Sequence, residues 1–394
     1  MEPPIPEHKT TNSFVEFYDS IEYVPVNQHD FGTQLQVAKR VRLYTGLGIP
    51  PLAFRNSSIL EIGPGGGQNA QALLGMNPRK LFLFDGSRTA VNNLELLFLP
   101  SENNIVEIIH GDMNINLPEE AFDFVIAEGC IPGQKNPGAS ILTISQRVGT
   151  NGILVFTTQT ATSLLAEILR RIIAKRIIEL SNGDQELYVK SLIEFFTPSF
   201  LALPGMTRSP RDWVLDVLVH PWEKGNHIFT ILDAYKQLEK NFTIIGTRPE
   251  ISLDTSWYKT DVNTTWGKSQ TILDQYEVAS LTFLDYREQF NSENPYQYSP
   301  FSLSEIKDIE TYCGEIYSLH NSIQENHWND LPTLHSLIQS IDKIISVKFP
   351  KTHLSITDYL QALPELIENP NKDMLSDFHS WFGRGQQYVS VMRI

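Results

Sequence analysis

A glycine-rich turn at the end of an apolar run constrains the fold of this chain more than any other segment. Residues 59–67 read Ile-Leu-Glu-Ile-Gly-Pro-Gly-Gly-Gly, which predicts a buried strand leading through a tight turn into a helix. Glycines at such a turn let the backbone approach a ligand more closely than any side chain would allow. The segment therefore predicts a loop that cradles a nucleotide at the carboxyl edge of a sheet.

The spacing of these glycines narrows the class of ligand. A dinucleotide-binding loop carries glycine at its first, third and sixth positions, but the sixth residue counted from Gly63 is Gln68. The pattern acid-x-Gly-x-Gly-x-Gly is instead met by Glu61, Gly63, Gly65 and Gly67. This pattern resembles motif I of the class I S-adenosylmethionine-dependent methyltransferases. The mismatch at Gln68 disfavours the alternative, a nicotinamide-dependent dehydrogenase.

Three later apolar runs each lead to an acidic residue, as the other strands of such a site would. Residues 80–84 end at Asp85, where a carboxylate can accept two hydrogen bonds from a ribose diol. By resemblance to the family, Asp112 would accept from the adenine amino group, and Glu128 would lie where the methyl donor faces its substrate. The resemblance implies S-adenosylmethionine as the cofactor. The expected cofactor-binding residues are Glu61, Gly63, Gly65, Gly67, Asp85, Gly86, Gly111, Asp112, Met113, Glu128 and Gly129.

The order of the apolar runs indicates the fold class. Strands near residues 58–62, 81–84, 105–109, 122–127 and 152–157 alternate with helices, and residues 242–246 resume an apolar strand. This alternation predicts an α/β, Rossmann-like fold with a doubly wound, mostly parallel sheet. The expected organisation is an N-terminal helical cover at 1–50, a methyltransferase domain at 51–260 with an insertion at about 181–240, and a C-terminal helical module at 261–394.

One segment combines helical periodicity with a run of basic residues. Residues 162–180 place apolar side chains at helical spacing, and Arg170, Arg171, Lys175 and Arg176 lie between them. This pattern predicts an amphipathic helix with a solvated basic face over a packed apolar face. A peripheral membrane contact is the alternative interpretation of such a helix.

Composition and charge limit the partners. The chain has 394 residues and a net charge of −15, and nucleic acid is held mainly through Lys and Arg contacts to phosphate, so no nucleic-acid partner is expected. No apolar run is long enough to span a bilayer, and residues 1–4 lack the pattern of a secretory signal, which predicts a cytoplasmic protein without stable membrane insertion. Cys130 and Cys313 lie far apart in sequence, so neither a disulfide framework nor a metal site is expected. No pattern indicates an oligomeric state.

The acceptor of the methyl group is less constrained than the cofactor. Family members that methylate adenine N6 or glutamine carry an Asn/Asp-Pro-Pro-aromatic motif after the fourth strand, whereas residues 128–132 read Glu-Gly-Cys-Ile-Pro here. That departure argues against base or glutamine methylation. Residues 43–51, 212–213 and 220–222 are similar to bacterial methyltransferase-like proteins of mostly unassigned acceptor.

These patterns together predict methyl transfer to a small molecule, such as a glycan precursor or specialised metabolite, at oxygen or nitrogen. The alternatives are an RNA or protein methyltransferase and a non-catalytic protein that binds the cofactor. Within the predicted insertion, His220 is the candidate general base, because histidine titrates near neutral pH. The candidate substrate-contacting residues are Trp213, Trp222, His227, Trp257, Tyr258 and Arg384.

Overall fold

Two units divide the chain, and neither is continuous in sequence. The computed structural model describes residues 13–24, 33–98, 105–203, 208–221, 228–251, 267–288 and 299–394. The described residues of the first unit fall within Met1–Thr158, Pro221–Arg248 and Tyr388–Ile394, and those of the second within Gln159–His220 and Pro249–Gln387. Within the described residues, no helix is both long and apolar enough to cross a membrane.

One sheet organises the first unit. Its strands, as far as the chain is described, are β1 (Ser58–Ile62), β2 (Lys80–Asp85), β3 (Val106–His110), β4 (Phe122–Ala127), β5 (Val148–Thr158), β6 (Phe242–Arg248) and β7 (Gln387–Arg393). They lie in the order β3-β2-β1-β4-β5-β7-β6. The pairs β1–β2, β1–β4, β2–β3 and β4–β5 are parallel, and β6–β7 is antiparallel. The predicted α/β fold with a mostly parallel, Rossmann-like sheet is confirmed.

Some of the described helices alternate with the strands, and the others follow one another without a strand between them. The described helices are α1 (Ser13–Ser20), α2 (Thr33–Gly46), α3 (Gln68–Leu74), α4 (Arg88–Phe98), α5 (Pro137–Ser145), α6 (Ala161–Leu180), α7 (Gln185–Ala202), α8 (Pro210–Trp213), α9 (Ile231–Leu238), α10 (Gly267–Ser280), α11 (Leu303–Gln324), α12 (Leu331–Ile345) and α13 (Pro350–Glu368). A π-helix, Val214–Val219, follows α8 directly.

Alternate residues of the central strands build the core of the first unit. Ile59 of β1, Leu83 of β2 and Ile126 of β4 point to one face of the sheet, where they pack with Tyr44 of α2 and Leu94 of α4. Successive side chains of a strand point to opposite faces, so the residues two positions further on continue this face. This two-residue alternation continues to the carboxyl end of each strand. It therefore determines which of the last side chains lie on the same face as this core.

The prediction of a solvated basic face on α6 is wrong for Arg170 and Arg171, which are buried. Arg170 is 1% exposed, its Nη2 donates to the carbonyl oxygen of Trp381, and its guanidinium lies 4.1 Å from the Phe382 ring centroid. Arg171 is also buried, and it donates from Nη2 to the carbonyl of His220 at 2.7 Å. Backbone carbonyls from distant segments accept hydrogen bonds from the Nη atoms of these guanidinium groups. Helical periodicity, being local, does not reveal such partners.

The division into units differs from the expected boundaries. The second unit already begins at Gln159, before the insertion expected at about 181–240, because α6 packs with α11 and α13. The segment expected to close the C-terminal helical module ends instead in β7, a strand of the first unit's sheet. Residues 242–246, expected to resume a strand, lie within β6 as predicted.

Candidate functional site

The glycine-rich turn lies between β1 and α3 and has the backbone conformation that its composition predicts. Gly63, Gly65 and Gly67 have φ values of +69°, +53° and +78°, in the left-handed region that favours glycine. A Cβ atom on Gly67 would lie 2.9 Å from Cδ2 of Leu94. Each glycine of the motif is therefore required by its φ, and Gly67 also by the close approach of α4.

Asp85, at the end of β2, supports this turn. Its Oδ2 accepts a hydrogen bond from the Gly65 amide at 3.1 Å, and its Oδ1 accepts from the Ser87 amide at 2.9 Å. Burial raises the pKa of the Asp85 carboxyl to about 6, although these backbone hydrogen bonds favour the charged form. Each carboxylate oxygen can accept more than one hydrogen bond, so Asp85 can hold the turn and still accept from a ligand.

The loop after β3 contributes the second acidic group. The backbone amide and the Nδ2 of Asn114 donate to Oδ1 of Asp112 at 2.8 and 3.1 Å. Nε2 of His110 lies 3.1 Å from the carbonyl oxygen of Gly86, so the imidazole joins this loop to the one after β2. Asp112 is thereby placed at the same edge of the sheet as Asp85.

An open pocket of about 470 Å³ lies at this edge. The residues that line it are Val15, Ile62, Gly63, Phe84, Asp85, Gly86, Gly111, Asp112, Met113, Cys130 and Gln134. Six of the residues predicted to bind the cofactor thus surround one pocket: Gly63, Asp85, Gly86, Gly111, Asp112 and Met113. Gly65 and Gly67 belong to the adjoining turn.

Sequence reasoning did not assign five lining residues to the site: Ile62 and Phe84 end predicted strands, whereas Val15, Cys130 and Gln134 lie outside the cofactor motifs. Val15 comes from α1, Cys130 follows the predicted Gly129, and Gln134 lies in the loop before α5. The Gln134 side chain is buried and donates from Nε2 to the Cys130 carbonyl at 2.9 Å. Its position two residues before the α5 N-cap, Asn136, is the only local signal that could have drawn attention to it.

The N-terminal helix α1 is fastened next to the pocket by Asp19. Its Oδ1 accepts from Ser87 Oγ at 2.6 Å and from the Thr89 amide at 3.1 Å, and its Oδ2 accepts from the Arg88 amide at 3.3 Å. Burial opposes ionisation of Asp19, but these hydrogen bonds outweigh it and hold the pKa of the carboxyl below its ordinary value. Asp19 thus caps the N-terminus of α4 and fixes the helix that carries Val15.

The other two predicted acids, Glu61 and Glu128, lie on the core face beneath the carboxyl edge. Glu128 accepts from Tyr44 Oη at 3.2 Å and forms an ion pair with Arg40 of α2. Glu61 is 2% exposed, and its Oε2 has no hydrogen-bond partner in the described structure. Burial and the nearby Glu128 raise the pKa of Glu61 to about 8. These two acids therefore line the interior beside the turn, and neither is among the pocket's lining residues.

The predicted catalytic and substrate residues have other positions. His220 and Trp213 belong to the second unit and are buried, and the His220 carbonyl is held by Arg171. Arg384 also belongs to the second unit, where its amide donates to the Phe283 carbonyl at 2.8 Å. Trp222, His227, Trp257 and Tyr258 lie outside the described residues. Among the residues that are described, no group of His, Cys, Asp and Glu side chains could hold a metal ion.

Several known proteins are similar to parts of this chain. The N-methyltransferase NodS from Bradyrhizobium japonicum, solved with S-adenosyl-L-homocysteine, is 17% identical over 36% of this chain and 74% of its own, with a TM-score of 0.30. The CcbJ methyltransferase from Streptomyces caelestis is 15% identical over 39% and 59%, with a TM-score of 0.30. A methyltransferase from Mesorhizobium loti is 15% identical over 34% of this chain and 57% of its own, with a TM-score of 0.28. No curated protein matches the chain.

A protein-family comparison identifies the part of the chain that carries the site. Residues 36–202 match the family described as "Methyltransferase domain". The matched range contains β1 to β5, the glycine-rich turn, and the loops that bear Asp85 and Asp112. Together with the strand order, this match shows that residues 36–202 carry a methyltransferase domain.

Proposed function

We propose that the protein transfers the methyl group of S-adenosylmethionine to an oxygen or nitrogen atom of a small molecule. The observation that carries the proposal is the pocket at the carboxyl edge of the sheet, where Asp85 and Asp112 flank a backbone turn that leaves room for a ligand. Open parallel sheets bind nucleotides at this edge. The groups of the pocket are thus complementary to a nucleoside. Asp85 and Asp112 both lie within residues 36–202, which match the family.

Each group in the pocket has a role that its chemistry permits. The Asp85 carboxylate accepts from the ribose hydroxyls, and the free oxygen of Asp112 accepts from the exocyclic amino group of adenine. The sulfonium of the bound cofactor supplies a methyl group that is already activated for displacement. The protein then has to bring the nucleophile into line in a dry site, which is catalysis by proximity and orientation.

A proton acceptor is needed only if the nucleophile is a hydroxyl or a protonated amine. We propose His220 for this role, since imidazole titrates near neutral pH. The test is His220→Asn, which is expected to lower turnover while cofactor affinity stays unchanged. If turnover is also unchanged, proximity alone accounts for catalysis.

Charge supports a small-molecule substrate over a nucleic acid. The net charge is −15, and the two central arginines of the most basic helix, Arg170 and Arg171, are buried against backbone carbonyls. They are thereby removed from any surface that could contact phosphate. The alternatives remain an RNA or protein methyltransferase and a non-catalytic cofactor-binding protein, and we propose a cytoplasmic location.

Binding of S-adenosylhomocysteine, measured by calorimetry, tests the cofactor assignment. We expect Asp85→Ala to weaken this binding about tenfold to a hundredfold, since charge-assisted hydrogen bonds contribute about 1.5 to 3 kcal/mol. Asp123→Ala is the matched control, because Asp123 lies near the start of β4, at the other end of the sheet. Binding of NAD without binding of S-adenosylhomocysteine would overturn the assignment.

Transfer itself is tested with S-adenosylmethionine that carries a tritiated methyl group. Candidate hydroxylated and amine-bearing metabolites, total RNA and a protein mixture are offered as separate acceptors. Label in the metabolite fraction supports the proposal, whereas label in RNA or protein supports the first alternative. Tight cofactor binding with no label transferred to any of the three supports the non-catalytic alternative.

A further inference from the structure

We infer that Asn114 is a positioning residue that sets the preference of the pocket for a purine with an amino group at C6. The inference rests on the proposed function, because it concerns the nucleoside part of the same cofactor. Asn114 lies in the loop after β3 and is absent from the pocket lining itself. It acts through Asp112, which does line the pocket.

Asn114 joins three segments through one side-chain amide. Its Nδ2 donates to Oδ1 of Asp112 at 3.1 Å and lies 3.3 Å from Oε1 of Gln134, in the loop after β4. Its Oδ1 accepts from Ser140 Oγ, on α5, at 2.7 Å. Both ends of the amide are therefore engaged, and reversing the amide would place its oxygen against the Asp112 carboxylate oxygen.

This arrangement determines which oxygen of Asp112 remains available. The Asn114 backbone amide also donates to Oδ1, so that this oxygen receives two hydrogen bonds from one residue. Among the described residues, no donor binds Oδ2. The Asn114 contacts thus fix the rotation of the carboxylate, and leave one acceptor oxygen for the ligand.

A fixed acceptor discriminates between purines by the group at C6. The amino group of adenine donates a hydrogen bond to a carboxylate, whereas the oxo group of hypoxanthine presents another acceptor. A carboxylate held in place cannot turn away from that oxo group, so the unfavourable contact persists. Without the Asn114 side chain the carboxylate keeps only the hydrogen bond from the backbone amide, so it rotates more readily and loses part of its discrimination.

The test compares the affinities for S-adenosylhomocysteine and its 6-oxo analogue, S-inosylhomocysteine. We expect the unaltered protein to prefer the amino compound by about tenfold or more. Asn114→Ala should reduce this ratio by about threefold or more, and Ser140→Ala should reduce it less because it removes one anchor of the amide. Ile115→Ala is the control in the same loop, since Ile115 is 71% exposed, and it should leave the ratio unchanged.

The affinity ratio separates positioning from mere structural support. If Asn114→Ala weakens both compounds by the same factor, the inference is overturned, because the ratio reports only the contact at C6. Thermal unfolding checks that each variant is folded, and Ser140→Ala provides the measurement if Asn114→Ala does not fold. If the unaltered protein binds neither compound, the proposed function fails instead.

Discussion

Acids at the carboxyl edge of the sheet end a pattern that is apolar earlier in the same strands. On β1, β2 and β4 the core-facing positions run from Ile59, Leu83 and Ile126 to the acids two residues later. Those acids are Glu61, Asp85 and Glu128. Three carboxyl groups therefore occupy one face at the carboxyl edge. Ionising all three would be unfavourable, because burial and mutual repulsion both oppose the charged form.

The charge balance near Glu61 leads to a prediction about pH. Arg40 is the cation that interacts with both Glu61 and Glu128 in the described structure, and it is already paired with Glu128. Although burial opposes the charge on Arg40, Glu128 raises its pKa, so the guanidinium stays charged. Glu61 consequently keeps its proton up to a pKa of about 8 in the folded state, against an ordinary value of 4.5.

We therefore expect the free energy of unfolding to fall as pH rises from about 4.5 to about 8. In that window the folded state binds one more proton than the unfolded state, so each step in pH favours unfolding. Glu61→Gln mimics the protonated acid and should remove the part of this dependence that comes from Glu61, which is on the order of a few kcal/mol.

Urea unfolding of both proteins at several pH values across that window measures the difference. Glu107→Gln is the control, because the Glu107 side chain is 51% exposed. An unchanged slope in Glu61→Gln would show that Glu61 is ionised in the folded protein.

Several site residues were predictable from sequence because local rules determine them. A positive φ selects glycine at Gly63, Gly65 and Gly67, and the end of a parallel strand places Asp85 at the ligand edge. Gln134 was not predictable, because its place in the pocket depends on a loop conformation that no short motif encodes.

At the scale of elements, Asp19 links α1 to the N-terminus of α4. Asp19 supplies acceptors to the N-terminus of α4, and Val15 of the same helix lines the pocket. Asp19→Ala is expected to release α1 and to weaken binding of S-adenosylhomocysteine several-fold, since an N-cap contributes about 1 kcal/mol. Calorimetry measures the affinity, and proteolysis with and without the ligand reports the release.

Two variants make this test specific. Asp19→Asn keeps one acceptor oxygen and should retain part of the affinity. Glu16→Ala changes an exposed acid on the same helix and should have no effect. If Asp19→Ala binds the ligand as well as the unaltered protein does, α1 has no part in the site.

The positions of strands and helices were predicted more accurately than the tertiary contacts of their side chains. The predicted strands and the helix predicted at residues 162–180 match the structure because periodicity and turn residues are local signals. The basic face of α6 failed because the partners of Arg170 lie at residues 378–382, more than two hundred positions away. Periodicity identifies a helix, but the carbonyls that cover one of its faces are a property of the tertiary structure.

At the scale of the whole molecule, the sheet depends on residues far apart in sequence. β7 lies between β5 and β6, and Val391 at its centre is fully buried. Val391→Asp is expected to destabilise the protein by about 3 kcal/mol or more, since it buries an unpaired charge. Ile394→Asp, three positions further and 43% exposed, should change stability little.

Thermal unfolding of the two variants compares them directly. A large drop in melting temperature for Val391→Asp alone supports a central place for β7. Equal and small effects of both substitutions would contradict the strand order.

The position of β7 in the sheet also has a consequence for folding during translation. The ribosome must add residues 249–387 after β6 before it can complete the strand that joins β6 to β5. At about 5 to 20 residues per second, this stretch takes roughly 7 to 28 s to translate. During that time β6 has been made but lacks its neighbour, and its open edge is available to the wrong partner. A nascent chain of this topology therefore exposes the edge of β6 until β7 emerges.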